Sequence, residues 1–271
     1  MIIASFNVNS VRIRLHQIQA LIDAINPDVI GLQETKVQDQ EFPVEDLTAM
    51  GFDVAFHGQK KNYGVALLSK TPLTNIIKGF DDDDENAQRR FIAATVVSPK
   101  GNRVSILNGY FPQGESRQHE TKFPAKQKFY QDLNQHLNTH HSPDDAMAVI
   151  GDFNIAPDDN DLGIGADNVK RWLRDGKASF LPEERQWFET LCDWGLEDTW
   201  RIHHPNDNST FSWFDYRSKG FDKEPKRGLR IDHILATDRL SSTLSHCGIE
   251  YDARAMERPS DHCPVWSEFD I

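Results

Sequence analysis

The sequence predicts an α/β fold in which two mixed β-sheets pack face to face with helices on both outer faces. Three observations lead there. Short apolar runs bounded by turn residues recur along the chain, helical patterns are inserted only between groups of them, and the order of strands and helices recurs in the second half. That pattern is not the regular βαβα alternation of a parallel barrel. Two packed sheets with helical covers bury the apolar faces better.

The elements follow in order. Residues 2–8 read as a strand, and Leu15, Ile18, Leu21, Ile22 and Ile25 then recur at helical spacing, which predicts a helix over 15–24. Pro27 ends it, and a second strand covers 28–32. Residues 51–56, 64–69, 75–79, 90–97 and 103–110 read as further strands. Phe129, Leu133 and Leu137, four apart, place a helix over 125–137. A strand ending at Gly151, helices near 168–174 and 183–194, and strands near 210–213, 230–236, 244–250 and 264–269 complete the chain. No linker rich in Gly, Ser or Pro interrupts it, so one domain over 1–271 is expected.

An apolar fraction of 38% with 27% charged residues belongs to a globular protein rather than a disordered one. No apolar run approaches the roughly 20 residues that span a bilayer, so no membrane partner is expected. Met1-Ile2-Ile3-Ala4-Ser5-Phe6-Asn7 lacks a basic leader and reads as a strand, not a signal peptide. Cys192, Cys247 and Cys263 are too few and too scattered for a disulfide framework, which favours reduced thiols and a cytoplasmic location. The net charge of −12 argues against a nucleic-acid partner, because such proteins usually neutralise phosphates with excess Lys and Arg. Part of that acidity sits in one run, Asp81 to Glu85, most simply a solvated loop, and bound metal would offset other acids.

Four segments carry a carboxylate where a buried strand is expected to end. They are Gly31-Leu32-Gln33-Glu34-Thr35, Gly151-Asp152-Phe153-Asn154, Leu229-Arg230-Ile231-Asp232-His233 and Pro259-Ser260-Asp261-His262. Strand ends are rigid platforms, so acids there are held more firmly than acids on loops. Glu34, Asp152 and Asp261 together suit a hard divalent cation, and His262 titrates near neutral pH. Asp152 beside Asn154 supplies one group to orient or deprotonate water and one donor for a phosphate oxygen. In an extended segment Asp152 and Asn154 point the same way while Asp261 and His262 diverge, so His262 needs another acid, for which Asp232 is the candidate. Each segment alone has a plainer explanation, a cap or a turn. No His/Cys group has zinc spacing, and His140-His141 read as loop residues. The combination is equipment for phosphate-ester hydrolysis.

Basic residues interleaved with aromatics accompany it: Asn168-Val169-Lys170-Arg171-Trp172-Leu173-Arg174 with Lys177, Ser212-Trp213-Phe214-Asp215-Tyr216-Arg217-Ser218-Lys219, and Lys226-Arg227-Gly228-Leu229-Arg230, with Arg89, Arg90 and Lys122 as further cations. Such interleaving suits phosphate contacts around a pocket for an unstacked nucleotide.

At these residues the chain resembles the exonuclease III family of abasic-site endonucleases, within the wider group that includes DNase I and inositol phosphatases. The likeness runs in order from Ser5-Phe6-Asn7 through Leu32-Gln33-Glu34-Thr35-Lys36, Asn108-Gly109-Tyr110-Phe111-Pro112-Gln113-Gly114, Gly151-Asp152-Phe153-Asn154, Ser212–Arg217 and Leu229-Arg230-Ile231-Asp232 to Pro259-Ser260-Asp261-His262. It implies a four-layer α/β sandwich, a monomer, and hydrolysis dependent on Mg²⁺ or Mn²⁺. The implied substrate is double-stranded DNA, cut 5′ to abasic sites or trimmed from recessed or blocked 3′ ends. By the same resemblance Glu34 binds the metal with Asn7 and Asp261 close by. Asp152 and Asn154 adjoin it, Asp152 managing the proton and Asn154 supporting the transition state. Tyr110 contacts the scissile phosphate and His262 pairs with Asp232. Arg90, Gln113, Lys122 and Arg217 fall at DNA-contact positions, and Trp213, Phe214 and Leu229 wall the pocket. Asp222–Lys226 is longer than in relatives, and Cys263 stands where they often carry a small residue. Two other readings compete: a phosphatase of small phosphoesters using the same metal centre, and a non-catalytic DNA-binding module.

Overall fold

A computed structural model describes all residues, 1–271. The first half comprises β1 (Ile2–Asn7), α1 (Leu15–Ile25), β2 (Val29–Gln33), α2 (Val44–Ala49), β3 (Asp53–His57), β4 (Val65–Ser69), β5 (Thr74–Lys78), β6 (Phe91–Val97) and β7 (Arg103–Tyr110). The second comprises α3 (Lys122–His140), β8 (Met147–Asp152), α4 (Ala166–Arg174), α5 (Pro182–Asp193), β9 (Leu196–Asp198), α6 (Thr199–His203), β10 (Asp232–Thr237), α7 (Asp238–Ser241), β11 (Leu244–Ile249), α8 (Tyr251–Ala255) and β12 (Val265–Phe269).

The strands form two six-stranded sheets, ordered β11-β12-β1-β2-β4-β3 and β5-β6-β7-β8-β10-β9. Each contains one parallel pair, β1 with β2 and β7 with β8, among antiparallel neighbours. Side chains alternate across a strand. In β8, Ala148 and Ile150 therefore face the opposite sheet while Met147 and Val149 face the helices, and every one is buried. This two-sided burial is why the strands read as continuous apolar runs. Phe6, Ile30, Leu32 and Leu68 meet Ile18 and Leu21 of α1 on one outer face. Phe111, Val149 and Leu235 meet Phe129, Leu133 and Leu137 of α3 on the other. The expected four layers are present, and no helix is long and apolar enough to cross a membrane.

Several elements differ from the sequence reading. Asn26 ends α1 in the left-handed region at φ 49°, its N–H on the Ile22 carbonyl, one residue before Pro27. The expected strand at 210–213 is only a pair of bridges from Trp213, to Leu229 and to His262. The strand near 230–236 begins at Asp232, so that acid opens a strand instead of closing one. His140 is the last residue of α3, not a loop residue. The unforeseen α2, α6, α7, α8 and β9 are six residues or shorter, too short to show a period.

Arg230 departs furthest from expectation. Counted above among surface cations, it is fully buried: Nε lies 2.6 Å from Asp161 Oδ1, Nη2 2.7 Å from Asp198 Oδ2 and Nη1 3.0 Å from His233 Nδ1. Burial would raise the Asp198 pKa, but the Arg230 charge and the His233 contact outweigh it and hold that carboxyl below the usual range. The stabilisation is therefore complete above the ordinary carboxylate range and is lost as pH falls through and below it. Arg230→Ala would leave buried Asp198 without its arginine and Asp161 with Arg201 alone, and is expected to cost about 3–5 kcal/mol, measured by urea unfolding at neutral pH. A variant as stable as the parent would show that the network is idle.

Candidate active site

Six strand ends converge at one edge of the sandwich. In the first sheet Asn7 lies opposite Gln33 on parallel strands, so Asn7 and Glu34 emerge side by side. β12 runs antiparallel to β1, which brings the segment leading into it, with Asp261 and His262, to the same edge. In the second sheet Tyr110 pairs with Asp152 and Asp152 pairs with Asp232. Directly paired residues project from one face, so these three side chains form a row. Asp232 reaches it from the start of its strand because β10 is antiparallel to β8. Gly151 allows the approach: at φ 148°, a Cβ there would lie 2.0 Å from the Gly109 carbonyl oxygen.

Glu34 itself has φ 56°, a conformation non-glycine residues keep only where the surroundings enforce it. Its carbonyl accepts from Ser10 N at 2.8 Å, and Thr35 N donates to the Gly64 carbonyl at 3.1 Å. Asn154 is not in the extended geometry expected of it: φ is 53°, its N–H returns to Asp152 Oδ1 at 3.0 Å, and its amide donates to the Phe111 carbonyl at 3.0 Å. A tight turn, not strand alternation, places it beside Asp152.

The polar groups interlock. His262 Nδ1 lies 2.8 Å from Asp232 Oδ2, and its Nε2 lies 3.7 Å from Asp152 Oδ2. Asn7 Nδ2 donates to Asp152 Oδ2 at 2.9 Å and to Glu34 Oε2 at 3.1 Å. Lys36 Nζ is 2.8 Å from Glu34 Oε1. Asn9 Nδ2 and Trp213 Nε1 donate to Asp261 at 2.8 and 3.1 Å.

Burial alone would lower the imidazole pKa, but the Asp232 and Asp152 carboxylates outweigh it and raise it, so His262 is held as a cation. Burial raises the pKa of Asp152; the His262 charge opposes and Asp232 adds, leaving it above the usual range. Burial also opposes ionisation of Asp261, yet His262 and the Asn9 and Trp213 donors keep its pKa low. Burial, then the Glu34 carboxylate, hold the Tyr110 phenol protonated. The result is a row of groups with pKa values pushed apart, which is how acid and base roles are separated.

These groups floor a cavity of about 570 Å³. Of the residues expected to act there, Glu34, Tyr110, Gln113, Asp152, Asn154, Trp213, Arg217, Leu229, Asp261 and His262 line it. Asn7 and Asp232 are buried directly behind this lining. Two expectations are corrected. Arg90 is buried between the rings of Tyr63 and Tyr110, at 4.1 and 4.6 Å, and donates to the Tyr110 carbonyl, so it props Tyr110 instead of reaching outward. Phe214 is fully buried against Phe211 and Cys263, because neighbours in an extended segment face opposite ways and Trp213 takes the pit side. Lys122 is exposed, pairs with Glu115 at 2.6 Å and stands outside the pit, where its expected DNA contact is neither met nor opposed by the fold.

The rim is basic despite the overall acidity. Arg171, Lys177, Arg217, Lys223 and Arg227 surround the opening. Trp172 stacks on Phe180 at 5.6 Å, and Lys177 Nζ sits 3.6 Å above the Trp172 ring. Asn9, Lys36 and Ile231 were given no role by the sequence, although Lys36 and Ile231 fall within segments that carry the resemblance. Asn9 was detectable as the residue two beyond Asn7, whereas Lys36 and Ile231 carry no signal of their own.

The donor set fits a divalent cation. Glu34, Asp152 and Asp261 offer carboxylate oxygens, the preferred ligands of hard ions. Two of them converge on the single amide of Asn7, a juxtaposition of acids that a cation relieves. Ligand atoms of Asp152, Asp232 and His262 also lie within 4.8 Å of one another, but Asp232 and His262 are committed to each other.

Comparison with known proteins agrees with this arrangement. The sequence pattern of the endonuclease/exonuclease/phosphatase family matches residues 4–262. The chain is 55% identical over 265 residues to exodeoxyribonuclease III of Haemophilus influenzae, covering 98% of both chains. The structure of a 3′ phosphatase from Neisseria bound to a product DNA hairpin superposes with a TM-score of 0.89 at 37% identity, over 100% of both chains. That of an AP endonuclease from Archaeoglobus fulgidus gives 0.90 at 31%, again over 100% of both. The chain belongs to the endonuclease/exonuclease/phosphatase family.

Proposed function

We propose that this chain is a single-domain, monomeric, cytoplasmic DNA-repair phosphodiesterase. It cuts duplex DNA on the 5′ side of abasic sites and removes nucleotides or blocking phosphates from recessed 3′ ends. One observation carries this reading: the Asp232–His262–Asp152 row and Glu34 lie at the floor of a pit whose wall is Trp213, Leu229 and Ile231 and whose rim is cationic. The rim suits the backbone of a duplex, and the apolar wall suits a sugar that has lost its base. The H. influenzae relative is named an exodeoxyribonuclease, and the Neisseria and Archaeoglobus proteins are a 3′ phosphatase and an AP endonuclease.

The residues divide the work. Asp152, with its raised pKa, orients and deprotonates the attacking water or returns a proton to the leaving oxygen. His262, kept cationic by Asp232, and the Tyr110 phenol face the negative charge that builds on phosphorus. Asn154, fixed by the Phe111 carbonyl, supports the same charge. Gln113 and Arg217 hold the strand at the pit mouth. Glu34, with Asn7, Asp152 and Asp261, would hold Mg²⁺ or Mn²⁺. A cation there would supply positive charge to offset that of the phosphate and the leaving oxygen.

The test is incision of abasic, recessed 3′ and 3′-phosphate duplexes with and without EDTA, beside inositol phosphates as small phosphoesters. EDTA is expected to abolish cutting and excess Mg²⁺ to restore it. Turnover of the small esters at rates matching DNA would assign the pit to a phosphatase, and binding without cutting would assign it to a DNA-binding module.

A further inference from the structure

His136 is buried without employment. It lies on α3, is 3% exposed, and neither ring nitrogen has a hydrogen-bond partner. Buried polar atoms that have given up water without a replacement are rare in native structures and call for a partner. On one side Phe80 and Phe91 pack edge-on to the ring at 6.2 and 5.1 Å, and carbon edges cannot satisfy a nitrogen. On the other side stand His140 and Asp81. The His140 ring is 4.6 Å from that of His136, and its Nε2 is 2.7 Å from Asp81 Oδ2. Ligand-capable atoms of all three residues lie within 4.8 Å of one another. His141, whose Nε2 is also buried and unpartnered, has its ring 5.5 Å from His136.

We propose that Asp81, His136 and His140 form a second metal site, separate from the pit, that takes a zinc-class transition cation. Residues four apart on a helix share a face, so His136 and His140 present two imidazoles to one point. Two imidazoles and a carboxylate are a donor set that selects Zn²⁺ over the hard Mg²⁺. Zinc bonds of about 2.0–2.2 Å bring ligand atoms roughly 3.3–3.5 Å apart, within small side-chain rotations of the present positions. The cation replaces the proton now shared by His140 and Asp81 and gives His136 its missing partner. It thereby pins the acidic segment after β5 to the end of α3. His136 and His140 do have a zinc-ligand spacing, contrary to the sequence expectation, and what the sequence conceals is the third ligand, Asp81, 59 positions from His140.

The test is a chelator-competition titration of the whole, metal-stripped chain with Zn²⁺ in excess Mg²⁺, which occupies the carboxylate site of the pit. One Zn²⁺ per chain and a raised melting temperature are expected. His140→Gln and Asp81→Asn change exposed residues and should each weaken Zn²⁺ binding at least about tenfold, the double variant abolishing it. His136→Gln should do the same if it folds, and the two surface variants decide the matter if it does not. Absence of stoichiometric Zn²⁺ binding, or binding unchanged in both surface variants, would overturn the site.

Discussion

Asp152→Asn should leave folding and affinity for abasic duplex close to wild type while lowering turnover by about 10²–10⁴-fold, the range general acid–base catalysis supplies. The side chains have the same shape, so an Asn can still accept from the Asn154 N–H through its one oxygen, giving up the bond from Asn7 Nδ2. It cannot take a proton. The loss should fall on kcat with KM nearly unmoved, because the missing interaction belongs to the transition state. Added metal should not restore it. Single-turnover incision beside a gel-shift titration separates the two parameters. A near-normal rate in this variant would remove Asp152 from proton transfer, and an unfolded protein would be seen first in the far-ultraviolet spectrum.

Glu34→Ala is expected to act through the ion instead. Outer-shell changes at metal sites already cost about 10–100-fold in affinity, so removal of a direct carboxylate should raise the Mg²⁺ giving half-maximal rate by about 100-fold or more. The rate at saturating metal should recover in part, which distinguishes this variant from Asp152→Asn. Lys36 loses its carboxylate partner at the same time and keeps only the neutral Asn9 amide, so its uncompensated charge beside the pit makes cation entry harder still. A Mg²⁺ titration of incision at constant ionic strength is the measurement. An unaltered titration curve would place the ion elsewhere in the pit.

Much of the site was legible because strand ends and chemistry coincide in the chain. Glu34 follows a buried strand and Asp152 closes one, and the His262–Asp232 pairing was recoverable from the divergence of adjacent side chains in Asp261-His262. Other readings failed for local reasons. Phe214 and Trp213 are sequence neighbours of similar character, and only the bridge to Leu229 decides which one faces the pit. Arg230 and Arg227 both read as surface cations, yet Asp161 and Asp198 draw one of them into the interior. The acidic total hid a basic rim because net charge carries no positional information.

The sequence by itself determined most of the strands, the long helices and the groups proposed to react, since periodicity and side-chain chemistry are local properties. Only the tertiary structure decided which cations stay outside, which aromatics line the pit, and that Asp81 meets His136 and His140. Those outcomes depend on contacts between residues far apart in the chain, where the cost of burying a charge or an unpartnered nitrogen is settled by what lies opposite. Residue order does not contain that opposite surface until the sheets have packed.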